Sequence, residues 1–474
     1  MAEIIGRKRE LSLLTDLLSS KESAFVAVYG RRRVGKTFLI RKAFNNGFAF
    51  QLTGMANVTT SQQLTNFSMA LKTFDSSWEL RPQAATWQEA FWQLIEMLEK
   101  SGDEKKVVFL DELPWLDTAQ SGFISALEHF WNAWASARTD IILVVCGSAA
   151  SWMINKLINN HGGLYNRVTH RIRLEPFTLS ECEEFFKSRS AAFDRYSILL
   201  LYMVMGGIPF YLDQVDKSLS ADQNINRLCF TKDGMLRREF ENLYHSLFQK
   251  AERHIAIIEA LSEKGRGLTR DELLKASQMP NGGGTTRILN ELEESNFIRR
   301  YEPFGNKERL SLYQLSDPYS LFYLKWIRNS GTLDEDYWVT QLDSPQKRAW
   351  SGYAFEQLCL AHISEIKKAL GIATIMTTTS SWVSRDKERG AQVDLLIDRG
   401  DRVINLCEMK FSIHPFTITK EYAGQLAEKI RVFTEQTKTR KAIYLTMITT
   451  FGLSSSIYAS SMVQNSLEMD VLFG

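Results

Sequence analysis

The sequence predicts an α/β fold that opens the chain, followed by a helical part and an α+β end. Three observations carry this. The first is length: 474 residues, at about 150 per domain, give a prior of about three domains. The second is a set of short continuous apolar runs at 25–29, 107–110 and 141–145, each followed by a longer amphipathic stretch. Unbroken apolar runs suit strands of a parallel sheet covered on both faces. The third is a composition of 44% hydrophobic and 24% charged residues with a net charge of +2, the profile of an ordinary globular chain. That balance excludes a disordered chain, a collagen-like chain and a basic or acidic tail. It leaves nucleic-acid binding open, because a local basic patch can hide inside a neutral total.

The five cysteines are scattered and form no Cys-x-x-Cys pair, so neither a disulfide framework nor a structural zinc site is expected. The runs at 141–146 and 198–205 are too short to span a bilayer, and the first residues reach charge at once, with no signal-peptide core. The expectation is a cytoplasmic protein with no membrane partner.

In chain order, the strand at 25–29 runs into Gly30-Arg31-Arg32-Arg33-Val34-Gly35-Lys36-Thr37, and a helical stretch begins at Phe38. This is the full P-loop pattern, between the strand and helix it requires. The glycines let backbone N–H groups wrap a phosphate chain, and the helix N-terminus adds oriented donors. Residues 30–38 would therefore bind ATP, with Lys36 on the β- and γ-phosphates and Thr37 on Mg²⁺.

The next strand, 107–110, ends in Asp111 and Glu112. Carboxylates at the C-terminal end of a buried strand sit where ligands bind in an open α/β sheet. Asp111 would hold Mg²⁺ and Glu112 would orient and deprotonate the attacking water. The third strand ends at Cys146-Gly147-Ser148. Ser148 reads either as a contact to the γ-phosphate or the water, or as a turn residue at a strand end. Downstream, Arg167 and Arg171 read either as an arginine finger, in cis or from a neighbouring subunit, or as a basic cluster on a strand edge.

Together these residues resemble the AAA-related, STAND-like group of archaeal-type P-loop ATPases. Ile5-Gly6-Arg7-Lys8-Arg9-Glu10-Leu11 resembles that group's N-terminal box near the base. Cys146-Gly147-Ser148 resembles its sensor strand, and Gly206-Gly207-Ile208-Pro209-Phe210-Tyr211 a motif of its helical lid. The resemblance implies a core over 1–175 and a lid over 176–250, with ATP and Mg²⁺ as cofactors.

Residues 251–316 read as three helices and a two-stranded ribbon, a winged helix-turn-helix. Thr285, Thr286, Arg287 and Asn290 would face DNA from the third helix, and Arg299, Arg300, Lys307 and Arg309 from the wing. Glu291, Glu293 and Glu294 would repel phosphate, and the module could equally be a rigid spacer.

Residues 317–474 carry a strand pattern at 392–397, a turn at Arg399-Gly400-Asp401, and a second strand ending Glu408-Met409-Lys410. A hairpin would bring Asp394 near Glu408, with Glu408 and Lys410 on one face. Two acids and a lysine on one face could bind a second divalent metal and activate water. Glu356 in the preceding helix would add a third carboxylate, and Gln425 could reach the same place. The order resembles the PD-(D/E)xK nuclease superfamily, and an ATPase followed by such an end resembles the group carrying the domain called DUF234. One departure is Gln392, where relatives often carry Glu. The alternatives are a salt-bridged sheet face or a degenerate nuclease that binds without cutting.

Two functions follow: an ATPase whose nucleotide cycle controls DNA binding and a metal-dependent nuclease, or a nucleotide switch that drives homo-oligomer assembly with the C-terminal part binding only.

Overall fold

The computed structural model describes residues 4–474 except 76, 78–80, 103, 159–162, 165, 249, 266, 306–310, 331–334, 342–343 and 385–389. The chain divides into two compact units, 1–176 and 177–474. No described helix is long and apolar enough to cross a membrane. All five cysteines are free and buried.

The first unit is built on β1 (Ala24–Tyr29), β2 (Phe50–Thr53), β3 (Lys106–Asp111), β4 (Ile141–Gly147) and β5 (His170–Arg173). All pair in parallel, in the order β2-β3-β4-β1-β5. The three apolar runs read from sequence are the central strands. Every residue of β3 and β4 is buried, as two covered faces demand. The sequence reading passed over β2 and β5, and the reason is physical. Each is only four residues long and lies at a sheet edge, so neither carries a continuous apolar run.

One face of this sheet is sealed by an aromatic cluster. Phe67 lies 5.0 Å from Phe50, Trp87 meets Phe123 edge-on at 4.8 Å, and Phe25 lies 5.0 Å from Trp131. The helix Trp87–Lys100 brings Trp87, Phe91 and Leu94 inward, and its start is fixed by Thr86 accepting from the Glu89 N–H.

The second unit begins with helices Leu179–Ser188, Arg195–Met205, Ala221–Cys229 and Glu239–Leu247. The Gly-Gly-Ile-Pro break ends the second of these for a steric reason. Gly206 adopts φ 62°, and a Cβ on Gly207 would lie 1.9 Å from the Phe177 carbonyl oxygen. The Phe177 N–H bonds the Gly207 carbonyl at 2.6 Å, so the two backbones touch directly. Tyr211 is buried and donates to Glu239 at 3.0 Å.

Helices Ala251–Ser262, Arg270–Ala276 and Gly283–Glu294 then pack with a small antiparallel sheet of β6 (Leu268–Thr269), β7 (Ile298–Tyr301) and β8 (Leu312–Leu315), ordered β6-β8-β7. Thr269 and Glu272 form a reciprocal capping box. Two expected DNA contacts fail here. Thr285 is 2% exposed and bonds the Pro280 carbonyl, and Arg299 is committed to Gln314 and Gln357. Position 285 falls on the buried stripe of its helix with Ile288, Leu289 and Leu292. Thr286, Arg287 and Asn290 do face outward, as does Arg300. Lys307 and Arg309 lie outside the described residues. Glu291 is turned inward, onto His254 and Arg287, each at 2.8 Å.

The chain ends in a mixed sheet of β9 (Thr377–Val383), β10 (Gln392–Arg399), β11 (Val403–Lys410), β12 (Ala442–Thr449) and β13 (Asn465–Glu468). Their order is β13-β12-β11-β10-β9. Strands β9, β10 and β11 form an antiparallel meander, and β12 and β13 run parallel to β11. Helix Pro345–Ala361 packs on β11, and helix Lys420–Thr437 links β11 to β12. The core contains Trp382, Leu406 and Phe433.

Candidate functional site

Three residues at positive φ curl the loop after β1: Gly30 at 146°, Arg33 at 70° and Gly35 at 93°. Gly30 is forced by packing as well, since a Cβ there would lie 2.3 Å from the Leu174 carbonyl oxygen. Successive backbone N–H groups in such a loop form a concavity for anions. Gly35 is the N-cap of helix Lys36–Ala43 and supplies no side-chain cap. The first-turn donors of that helix are thus left for a phosphate. Arg31 and Val34 are buried in the loop, Arg32 is exposed, and Phe38 is 45% exposed beside Lys42.

Lys36 is 5% exposed, and its Nζ donates to Gly30 O at 3.0 Å, Arg31 O at 2.9 Å and Ser148 Oγ at 3.0 Å. Burial pulls its ammonium below the ordinary lysine value, against the opposing pull of nearby acids. Thr37 Oγ1 donates to Asp111 Oδ2 at 3.0 Å. The other Asp111 oxygen accepts from the Cys146 thiol at 2.7 Å and from the Glu112 N–H at 3.0 Å. A hydroxyl and a carboxylate held together beside a phosphate loop are the hard oxygen donors Mg²⁺ takes alongside a nucleotide. The residues fit that ion.

Glu112 sits in the left-handed region, at φ 48° and ψ 49°. A non-glycine residue there costs about 1 kcal/mol or more. Its carboxylate accepts from Ser148 twice, from Oγ at 2.7 Å and from the N–H at 3.2 Å. Ser148 therefore bridges Lys36 and Glu112. Cys146 was missed as a partner of Asp111; only its place one strand over from the acid could have signalled it.

Arg167 and Arg171 are not brought to this cluster. Both are exposed, and Arg171 lies on the edge strand β5 opposite Ala27. Arg7, at φ 54°, donates to the Glu175 carbonyl.

In the second unit, Leu395 pairs with Cys407. Asp394 and Glu408 are the next residues along the two strands, and the Glu408 charge adds to burial in raising the Asp394 carboxyl. Glu356 faces them from helix Pro345–Ala361. Burial, then the Asp394 charge, pushes its carboxyl up to about 8. Burial also raises Asp394, whose Oδ1 accepts from Gln392 Nε2 at 2.6 Å. Burial pushes Glu408 up too, but Lys429 and Lys410 more than offset it and hold its carboxyl low. Glu408 Oε2 takes Lys429 Nζ at 2.6 Å, and Oε1 takes the Tyr422 hydroxyl at 2.8 Å and Lys410 Nζ at 3.1 Å.

Among the described residues no group of three or more His, Cys, Asp or Glu is arranged to hold a metal ion. The expected second metal site at Glu356, Asp394 and Glu408 does not fit one, because Glu408 is already ligated by two ammonium groups and a hydroxyl. Gln425 is exposed and makes none of these contacts. Tyr422 and Lys429 do instead. They stand seven residues apart, two turns along one helix face, a spacing visible in the sequence but not weighed.

Strand order, phosphate loop and acid pair define the first unit as a P-loop nucleotide-binding domain. Residues 4–215 match the profile of a family described as an ATPase domain predominantly from Archaea. An uncharacterized protein of Methanocaldococcus jannaschii is 23% identical over 413 residues, covering 86% of this chain and 87% of that protein. The Walker-type ATPase of Pyrococcus abyssi is similar with a TM-score of 0.49 and 19% identity, over 68% of this chain and 96% of that one. The ORC2 protein of Aeropyrum pernix gives 0.44 and 13%, over 73% and 95%. Both scores fall below 0.5, so the fold rests on the strand order and the loop geometry.

Proposed function

We propose that this protein is an ATP-hydrolysing nucleotide switch whose second unit engages DNA and whose C-terminal sheet binds without cutting. The observation that carries the first part is the bonded series Lys36–Ser148–Glu112 beside the pair Thr37–Asp111. The Lys36 ammonium now held by two loop carbonyls would turn to the β- and γ-phosphates, and loop N–H groups would cradle them. Thr37 and Asp111 would hold Mg²⁺, which when bound neutralises charge between those phosphates. Glu112 would accept the proton of the attacking water, and Ser148 would fix the direction of its carboxylate.

The 176–250 segment is read as a lid, 251–316 as a winged helix and 317–474 as a restriction-endonuclease-like domain. The three helices and small antiparallel sheet from Ala251 to Leu315 support the second reading. The order helix, three-strand meander, helix, parallel strand supports the third. DNA would meet Thr286, Arg287, Asn290 and Arg300. Binding without cutting is favoured by the occupied Glu408 carboxylate. Arg171 on the open edge of β5 would reach a neighbouring copy in a homo-oligomer, acting there as the finger.

The test has two arms. Glu112→Gln should keep nucleotide binding and lower hydrolysis by about 10²–10⁴-fold, the usual scale for a general base. The full chain with Mg²⁺ or Mn²⁺ should retain labelled DNA on a filter and leave it uncut, with and without ATP. Cleavage that vanishes in Glu408→Ala would replace the binding reading with the nuclease one.

A further inference from the structure

We infer that Lys429 is the resident cation of the Glu408 cluster, so that this unit neutralises its buried acids from within and takes no divalent metal there. The inference deepens the proposed reading of the C-terminal sheet as binding without cutting, and it rests on that reading.

Two separate observations lead to it. The first is the ligation of Glu408. Its side chain is 10% exposed, and a buried carboxylate must be paired. An ionised carboxylate offers about four lone-pair positions on two oxygens. Lys429 Nζ takes Oε2 at 2.6 Å, while the Tyr422 hydroxyl and Lys410 Nζ take Oε1 at 2.8 Å and 3.1 Å. A divalent ion on either oxygen would stand beside an ammonium group on the same carboxylate. In a poorly hydrated place that repulsion is scarcely screened.

The second observation is the supply of acids. Magnesium and manganese sites draw on carboxylates, carbonyls and water. Position 392 contributes an amide where a carboxylate would strengthen such a site. Gln392 Nε2 instead donates to Asp394 Oδ1 at 2.6 Å, spending one of the remaining acid oxygens. The arrangement thus has one acid fewer and one lysine more than a metal centre would use.

The helix explains how the lysine arrives. Tyr422 and Lys429 lie on helix Lys420–Thr437 two turns apart, so both project onto β11 from one face. Lys410 also leans toward the Tyr422 ring, with Nζ 5.3 Å from its centroid. The three groups hold each other around one carboxylate, which fixes Lys429 without help from a ligand.

The test is a Mn²⁺ titration of the nucleotide-free full chain, followed by calorimetry and by the electron paramagnetic resonance of free Mn²⁺. The wild type and Glu408→Gln should take up the same amount of Mn²⁺. Lys429→Met, shown folded by circular dichroism, should take up additional Mn²⁺ that the double variant Lys429→Met/Glu408→Gln lacks. Lys429→Arg keeps the charge and should exclude Mn²⁺ as the wild type does, which holds the proposal to account if Lys429→Met does not fold. Wild-type uptake that weakens by about tenfold or more in Glu408→Gln would overturn the inference, as would added uptake by Lys429→Arg or none by a folded Lys429→Met. Wild-type uptake without DNA cleavage would sink this inference while leaving the binding reading standing.

Discussion

At the scale of single residues, Ser148 is the informative position. It stands between Lys36 and Glu112, at 3.0 Å from the one and 2.7 Å from the other. Hydrogen bonds to charged groups contribute about 1.5–3 kcal/mol. Ser148→Ala should therefore slow hydrolysis by about ten- to a hundredfold while changing the affinity for a non-hydrolysable analogue far less. A rate within twofold of wild type would return Ser148 to the status of a turn residue. The loop and acid residues were legible in the sequence because their chemistry demands fixed spacing. The Cys146–Asp111 contact was not, because it depends on strand order, which spacing along the chain does not encode.

A second residue sets a pH dependence. His362 is buried, accepts the Leu179 N–H on Nε2 at 3.2 Å and donates from Nδ1 to the Leu358 carbonyl at 2.9 Å. Burial lowers its pKa from the usual 6.5, against the raising effect of the Leu358 bond. The neutral ring is thus the native form. Below 6.5 the unfolded chain binds the proton more readily than the folded one, so stability falls with pH from there down to the lowered folded value. Above 6.5 this group contributes no slope. His362→Gln should flatten the fall in Tm as pH drops below about 6.5; an unchanged slope would assign it to other groups.

At the scale of elements, the glycine pairs separate structural from permissive positions. A Cβ on Gly207 would meet a backbone carbonyl at 1.9 Å, whereas one on Gly284 would meet nothing within 4 Å. Gly207→Ala should destabilise the second unit by about 2 kcal/mol or more. Gly284→Ala, in the helix Gly283–Glu294, should be neutral or stabilising by up to about 1 kcal/mol. Chemical denaturation reads both, and equal costs would contradict the steric account. The same scale shows where sequence reading runs out. Long apolar strands announce themselves, and the capping box at Thr269 marks its helix start. The edge strands β2 and β5 carry no such pattern. The inward turn of Thr285 and Arg299 follows from helix phase and strand packing, which composition does not reveal.

At the scale of the whole molecule, the near-balance of 57 basic and 55 acidic residues is a cancellation between local sites. Basic groups gather in the phosphate loop at 31–33, and Arg287 and Arg300 face outward farther along, while acids gather at 111–112 and around 394–408. DNA binding through the outward basic groups should weaken as salt rises, because each phosphate contact releases counterions. Arg287→Ala should lower the slope of log affinity against log salt by about one. A slope unchanged by that substitution would favour the spacer reading of the module. The family match from 4 to 215 runs past the boundary between the compact units at 176, so the ATPase sequence unit and the packed units do not coincide.

Nucleotide binding by the loop at 30–37 and hydrolysis driven by Glu112 can be separated by substitution. The most direct measurement sets analogue affinity beside ATP turnover for wild type, Lys36→Ala and Glu112→Gln. Lys36→Ala should lose both, and Glu112→Gln should keep affinity and lose turnover. Unchanged affinity in Lys36→Ala, or full turnover in Glu112→Gln, would contradict these roles.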